Sequence, residues 1–319
     1  MTEEKKYRIL HAGCTANGDP LNGFQKALIK VSSDYREINT NSKEKGNEMV
    51  RVSSEIKPDI IFLQYQQADV IAPEVFIRMK ADNPNAWIVN YTGDVRHPLP
   101  THYIDTGKII DCTLFCNVTD VWEARRLGIK SEYLQYGIDP EIYFHAESQS
   151  NIPKIVFLGN NYTNQFPLSI QRKQMVDFLK KEYGTRFGVY GTNWGTHETG
   201  NLMGNQFGEA NIYRACKIAI NFSHFDYERY SSDRMFRIMA SGALCMTHRY
   251  AGMHLDFDSG ENVVAWDTFE HLKFQIDYYL DNEEQRKQIA KAGCELVHRT
   301  HTFDAMVFNL IKLYNERNK

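Results

Sequence analysis

The chain has 319 residues and no long apolar run. A membrane-crossing helix needs about 18 consecutive apolar residues, and no stretch comes near that. The N-terminus, Met1-Thr2-Glu3-Glu4-Lys5-Lys6, leads only into the short apolar Tyr7–Leu10, which is not a signal peptide. A soluble, cytoplasmic protein is expected. Charge of one sign is also lacking. Residues 1–150 carry 17 Lys+Arg against 21 Asp+Glu and residues 151–319 carry 20 against 19, so net charges of −4 and +1 make the total of −3. This excludes a broadly basic nucleic-acid domain, though not a local basic patch. No C-x-x-C pair occurs. The six cysteines, Cys14, Cys112, Cys116, Cys216, Cys245 and Cys294, fall mostly in apolar runs, as reduced core cysteines do. The eleven histidines are scattered, and His298 with His301 lacks further ligands nearby, so no metal is expected. Internal repeats and low-complexity segments are absent.

What is present is a regular alternation of short apolar strands and amphipathic helices. Strands are expected near Tyr7–Ala12, Tyr35–Ile38, Ile60–Gln64, Trp87–Tyr91, Cys112–Cys116 and Glu132–Tyr136. Helices are expected near Leu21–Val31, Lys45–Ile56, Pro73–Met79 and Asp120–Leu127. The polar, turn-rich His145–Pro153 reads as a linker. The pattern then restarts with strand Lys154–Leu158, helix Ser169–Lys181, strand Arg186–Tyr190, helix Glu209–Ala215 and strand Ile218–Phe222. Helix Ser232–Ser241 and strands Ala243–Thr247 and Asn262–Ala265 follow, and the end of the chain is helical. Such alternation implies parallel sheets covered on both faces, with ligands beyond the carboxyl ends of the strands. The expected organisation is an α/β N-terminal domain over 1–147 and a second Rossmann-like domain over 153–300. A final helix, 301–319, is expected to return toward the first domain, and a central ligand cleft is expected between the two.

The most informative segment is Ser231 to Thr247. Ser232 or Ser231 suits a helix N-cap, Asp233 the first turn, and Gly242 the left-handed C′ position. Free N–H groups at a helix N-terminus favour phosphate. Arg234 and Arg237 lie three apart on that helix and Arg229 and Arg249 flank it, a set suited to a diphosphate. Solvated surface arginines on an amphipathic helix are the plain alternative. Gly159-Asn160-Asn161-Tyr162 and Tyr190-Gly191-Thr192-Asn193-Trp194 both follow strands and offer close backbone approach and polar contacts. In the first half, Gly13, Asn17 and Gln66 are candidates for the acceptor side. Asp94, with Asp19 and His97 behind it, is the candidate general base. A turn-forming Asp after Gly93 would serve equally well as an account of Asp94.

Arg234-Met-Phe-Arg-Ile-Met-Ala-Ser-Gly-Ala-Leu244 resembles the second domain of GT-B glycosyltransferases, particularly the CgeB-like (spore maturation protein) group. The likeness extends to Asp256–Val264, Asn282–Gly293 and His301-Thr302-Phe303. Upstream, Leu134–Phe144 and Lys154–Gly159 also match, so it covers most of 131–310, while residues 1–130 match in architecture only. The resemblance implies two Rossmann-like domains facing a central cleft and a metal-independent hexosyl- or pentosyltransferase. A nucleoside-diphosphate sugar, UDP-sugar foremost, would be the donor, held by the second domain without a cofactor. The acceptor would be a glycan, metabolite, protein or, as in some phage enzymes, a hydroxymethylated base in DNA. A sugar-nucleotide epimerase or a non-catalytic nucleotide-sugar binder would share the architecture. One departure stands out. Arg237 occupies the position where the family usually has a Glu that accepts from ribose hydroxyls, and Arg can only donate. Ribose recognition is therefore expected to move to Glu261 or Asp233.

Overall fold

The computed structural model describes residues 5–13, 22–68, 70–147, 151–201 and 205–317. The chain forms two compact units. One comprises Met1–Tyr136 with Phe303–Lys319, the other Gly137–Thr302. The division thus falls at Tyr136/Gly137 rather than in the turn-rich 145–153 stretch. Residues 142–144 are instead tied down inside the second unit. The Arg214 guanidinium donates to the Phe144 carbonyl at 3.0 Å and to that of Ile142, and the Tyr143 hydroxyl donates to Glu209 at 2.9 Å.

The first unit holds six parallel strands. They are β1 (Tyr7–Gly13), β2 (Ser32–Asn39), β3 (Ile60–Leu63), β4 (Trp87–Thr92), β5 (Cys112–Phe115) and β6 (Ser131–Tyr133), in the order β2-β1-β3-β4-β5-β6. The intervening helices are α1 (Gly23–Lys30), α2 (Lys45–Ile56), α3 (Pro73–Asp82), α4 (Thr101–Ile109) and α5 (Val118–Arg126). Side chains on a strand alternate between faces. Ile9 joins one core with Phe62, Val89 and Leu114, while its neighbour Leu10 joins the other with Ile61, Leu63 and Ile88. The expected elements are all found, with ends shifted by a few residues. Helix α4 is the addition. Its Thr-His-Tyr-Ile-Asp-Thr-Gly-Lys-Ile sequence mixes β-branched residues with Gly107, so its propensity is weak. Burial of Tyr103 and Thr106 holds it in place.

The second unit has β7 (Ile155–Leu158), β8 (Phe187–Tyr190), β9 (Ile218–Asn221), β10 (Leu244–His248) and β11 (Val264–Trp266), in the order β11-β10-β9-β7-β8. Its helices are α6 (Ser169–Tyr183), α7 (Gln206–Ala215), α8 (Asp233–Ala240), α9 (Phe269–Asp281) and α10 (Glu283–Thr300). The last helix, α11 (Phe303–Glu316), belongs to the first unit, where Met306, Val307, Leu310 and Tyr314 enter its core. Among the described residues no helix is long and apolar enough to cross a membrane.

Candidate functional site

In an open parallel sheet, ligands collect where the strand order reverses, beyond the carboxyl ends. In the second unit β7 pairs with β8 on one side and β9 on the other, so the reversal lies between β7 and β9. Gly159 follows β7 there, at φ +157. A Cβ at Gly159 would lie 2.8 Å from the Arg172 Nη2 and 2.9 Å from the Arg234 Nη2. Two guanidiniums from different helices therefore converge on one glycine. Both also stand over the Phe157 ring, at 5.2 and 5.4 Å from its centroid.

Arg172 comes from the first turn of α6 and is 1% exposed. None of its three guanidinium nitrogens donates to a protein acceptor among the described residues. Burial, then the neighbouring Arg234, pull it well below its ordinary pKa. A buried guanidinium without partners is costly, and two near each other repel. Both penalties vanish if an anion joins them. Arg234, in the first turn of α8, is oriented by neutral groups only. It donates to the Asn221 Oδ1 at 3.3 Å and to the Ser232 Oγ at 3.2 Å. Asn221, at the end of β9, is fixed by donating to the Ser231 Oγ at 3.3 Å and the Thr247 Oγ1 at 3.0 Å.

Ser232 is the N-cap of α8, yet its side chain makes no capping bond. Its hydroxyl donates to Asn221 at 3.0 Å instead. The start of α8 is therefore not closed by its own cap, as a helix that receives an anion requires. Gly242 ends α8 at φ +85, as expected. The buried Ser231 packs beneath and donates to the Met235 sulfur at 3.0 Å.

The other three arginines expected to join a diphosphate clamp are each matched to carboxylates. Arg229 makes a two-pronged pair with Asp256, at 2.9 and 2.5 Å. Arg249, half exposed, pairs with Asp267 at 2.9 Å. Arg237 lies between Asp233 at 2.5 Å and Glu209 at 3.0 Å, over the Tyr143 ring. Burial opposes its charge, but those two carboxylates carry its pKa above the ordinary value. Arg234 and Arg172 have no carboxylate partner among the described residues.

The two strand-end loops serve as framework. Gly159 N–H donates to Tyr190 C=O at 2.8 Å and Asn161 N–H to Thr192 C=O at 2.9 Å. The Asn160 Oδ1 accepts from Thr192 N–H at 3.0 Å, and the Asn161 amide donates to Asn193 C=O at 3.0 Å. Gly191, at φ +146, abuts the Gly159 carbonyl so closely that a Cβ would collide with it. The Trp194 indole donates to that same carbonyl at 2.6 Å. Tyr190 is buried beside Gly188 and Gly200 rather than offered at the edge. Glu261 is exposed in the turn after Asp258.

In the first unit, Asp94 follows β4, is 59% exposed and pairs with Arg96 at 3.1 Å. His97 follows it and is exposed. Gly13, at the end of β1, adjoins the His11 and Gln64 side chains, whose Nε2 and Oε1 are 2.9 Å apart. The Gln66 carbonyl contacts the His102 ring at 3.2 Å. Asp19, Asn17 and Cys14 lie outside the described residues. Among the described residues no cluster of three or more His, Cys, Asp or Glu could hold a metal ion.

The residues that sequence reasoning missed are Arg172, Asn221 and His224. Arg172 lies 62 positions before Arg234, inside Gln-Arg-Lys-Gln, which looks like a solvated helix face. Only the strand order brings it to Gly159.

Residues 171–312 match the family model described as glycosyl transferase-like. A sequence search of curated proteins finds no match. Among solved structures, a glycosyltransferase from Rickettsia africae is 14% identical, with a TM-score of 0.65 over 98% of this chain and 99% of that one. HepE of Anabaena, solved with UDP and glucose, is 10% identical, with a TM-score of 0.66 over 97% and 100%. Sucrose-phosphate synthase from Thermosynechococcus elongatus is 12% identical, with a TM-score of 0.63 over 97% and 88%. The chain has the GT-B fold, two parallel-sheet α/β units in tandem.

Proposed function

We propose that this protein transfers a sugar from a nucleoside-diphosphate sugar, a UDP-sugar foremost, to an acceptor hydroxyl, as a member of the CgeB-like branch of GT-B glycosyltransferases. The observation that carries the reading is the convergence of Arg172 and Arg234 on Gly159 without a counter-charge. A site holding two uncompensated cations at the β7/β9 reversal suits a dianion. As the glycosidic bond breaks, negative charge grows on the leaving diphosphate, and preorganised guanidiniums stabilise it without first reorganising. On this reading the arginines and the start of α8 supply the charge that a metal provides elsewhere. The glycosyl transferase-like pattern over 171–312 and the UDP bound by HepE support the choice of donor. The acceptor would fall to the first unit, with Asp94 as the candidate base for an inverting reaction.

The test is calorimetry with UDP and with UDP-glucose, on wild type and on Arg172→Met and Arg234→Met. Loss of either buried charge-assisted contact should weaken UDP about tenfold or more, and a chelator should leave binding unchanged. Unaltered UDP affinity in both variants would remove the diphosphate reading. Product analysis with donor alone separates a transferase from an epimerase, because an epimerase needs no acceptor.

A further inference from the structure

His224 stands in the loop that leads from β9 to α8, and its contacts reach the start of α6. Its carbonyl accepts from Leu168 N–H at 3.0 Å, just before α6, and its Nδ1 is 3.5 Å from the Ser169 hydroxyl. Ser169 lies one helical turn before Arg172. The ring is held by Tyr162 at 5.2 Å and Phe166 at 4.7 Å between centroids. Among the described residues, the charged groups that act on it are Arg172 from α6 and Arg234 from α8, with no carboxylate. Asp226, two residues along the same loop, acts on His248 instead.

Burial and the field of the two guanidiniums together keep this imidazole neutral while the arginines are uncompensated. Burial first, then Arg172 and Arg234, push its pKa down to about 2. A dianion at the arginine pair reverses the second and third of those causes. The proton is then attracted by the ligand rather than repelled by the site.

We propose that His224 is the third member of the anion site, an imidazole that is neutral beside the two arginines and takes up a proton when a diphosphate neutralises them. The proposal rests on the diphosphate reading of the site. The proton comes from solvent on binding and returns to it on release, so nucleotide affinity is tied to pH through this one side chain. The sign follows from the direction. The His224 pKa is higher in the bound state than in the free state, so affinity rises as pH falls through the bound-state value. The free ligand's own phosphate titrates near pH 6 in both experiments alike, so the difference between wild type and variant reads what His224 adds in the bound state.

The test uses UDP, and inorganic pyrophosphate as the bare diphosphate. Calorimetry at pH 6.5 in two buffers of different ionisation enthalpy counts the protons taken up. Wild type should take up a larger fraction of a proton than His224→Phe, which keeps the ring contacts with Tyr162 and Phe166. His224→Phe should bind UDP about fivefold more weakly at pH 6.5, with the gap closing by pH 8.5. In wild type, NMR titration of the imidazole resonances should show one histidine rising by two or more pH units on adding UDP, which needs no variant. Normal UDP binding with equal proton uptake in the two proteins, or no histidine that moves, would overturn the proposal alone. Failure of both UDP and pyrophosphate to bind wild type would overturn the diphosphate reading, and the proposal with it.

Discussion

Among the arginines around α8, charge compensation separates ligand-facing from structural roles. Arg237 is enclosed by Asp233, Glu209 and the Tyr143 ring, a local excess of negative charge. Removing it strands two carboxylates, one of them, Glu209, largely buried. Breaking a buried pair costs about 3–5 kcal/mol, and partial exposure of Arg237 reduces that to about 2 kcal/mol. Arg237→Met should therefore lower the urea unfolding free energy by about that amount while UDP still binds. Arg234→Met, which leaves only neutral Asn221 and Ser232 behind, should do the reverse. Abolished UDP binding in a fully stable Arg237→Met protein would refute this division of roles. It also explains how far the sequence could be read here. Spacing identifies Arg234 and Arg237 as neighbours on a helix, but not that Glu209, from α7, is waiting for one of them. The Arg at the family's Glu position is thus accounted for by a partner carboxylate that no local pattern reveals.

At the scale of elements, α5 shows a consequence of how a helix starts. Asn117 caps it, accepting from Asp120 N–H at 2.7 Å, and its amide donates to the Asp120 Oδ2 at 2.7 Å. The other carboxylate oxygen of Asp120 has no partner among the described residues, and the residue is 1% exposed. Burial outweighs the Asn117 bond and raises the Asp120 pKa from 3.8 to about 6. The folded state then holds this proton more tightly than the unfolded chain. The group's stabilising contribution is fully present below pH 3.8 and is lost as pH rises through about 6. Two pKa units correspond to about 3 kcal/mol. Urea unfolding of Asp120→Asn at pH 4.5, 5.5 and 7.5 should show that this part of the pH dependence has gone, with the variant gaining on wild type at pH 7.5. Parallel pH profiles would count against a buried, raised Asp120. The sequence marked α5 to within a few residues, Asp120–Leu127 against Val118–Arg126, but not its Asn117 cap. It missed α4, where Pro100 precedes a run of low helical propensity that only the burial of Tyr103 and Thr106 stabilises.

Across the whole molecule, the chain order and the compact units do not coincide. Alternating strands and helices made two α/β units legible, but their boundary was not: the turn-rich 145–153 reads as the linker, while Tyr143 and Phe144 before it are already bound by α7. The first unit is completed only by α11, which supplies Met306, Val307, Leu310 and Tyr314 to the core around Tyr7, Phe24 and Trp87. Tyr314 meets the rings of Tyr7 and Trp87 at 5.4 and 6.0 Å. Each such side chain contributes about 1.5–3 kcal/mol by burial, so four approach the whole stability of an ordinary domain, about 5–15 kcal/mol. One face of the second unit's sheet packs a cluster drawn from β7 to β11 with α6, α9 and α10. A chain ending at Thr302 should therefore lose the first unit's cooperative thermal transition and expose residues 5–136 to protease. Gly137–Thr302, which carries both arginines of the anion site, should resist the protease and still bind UDP. Full-length melting behaviour in the truncated protein would show that α11 is dispensable to the first unit. Loss of UDP binding along with it would show that the donor site depends on more than the residues of the second unit.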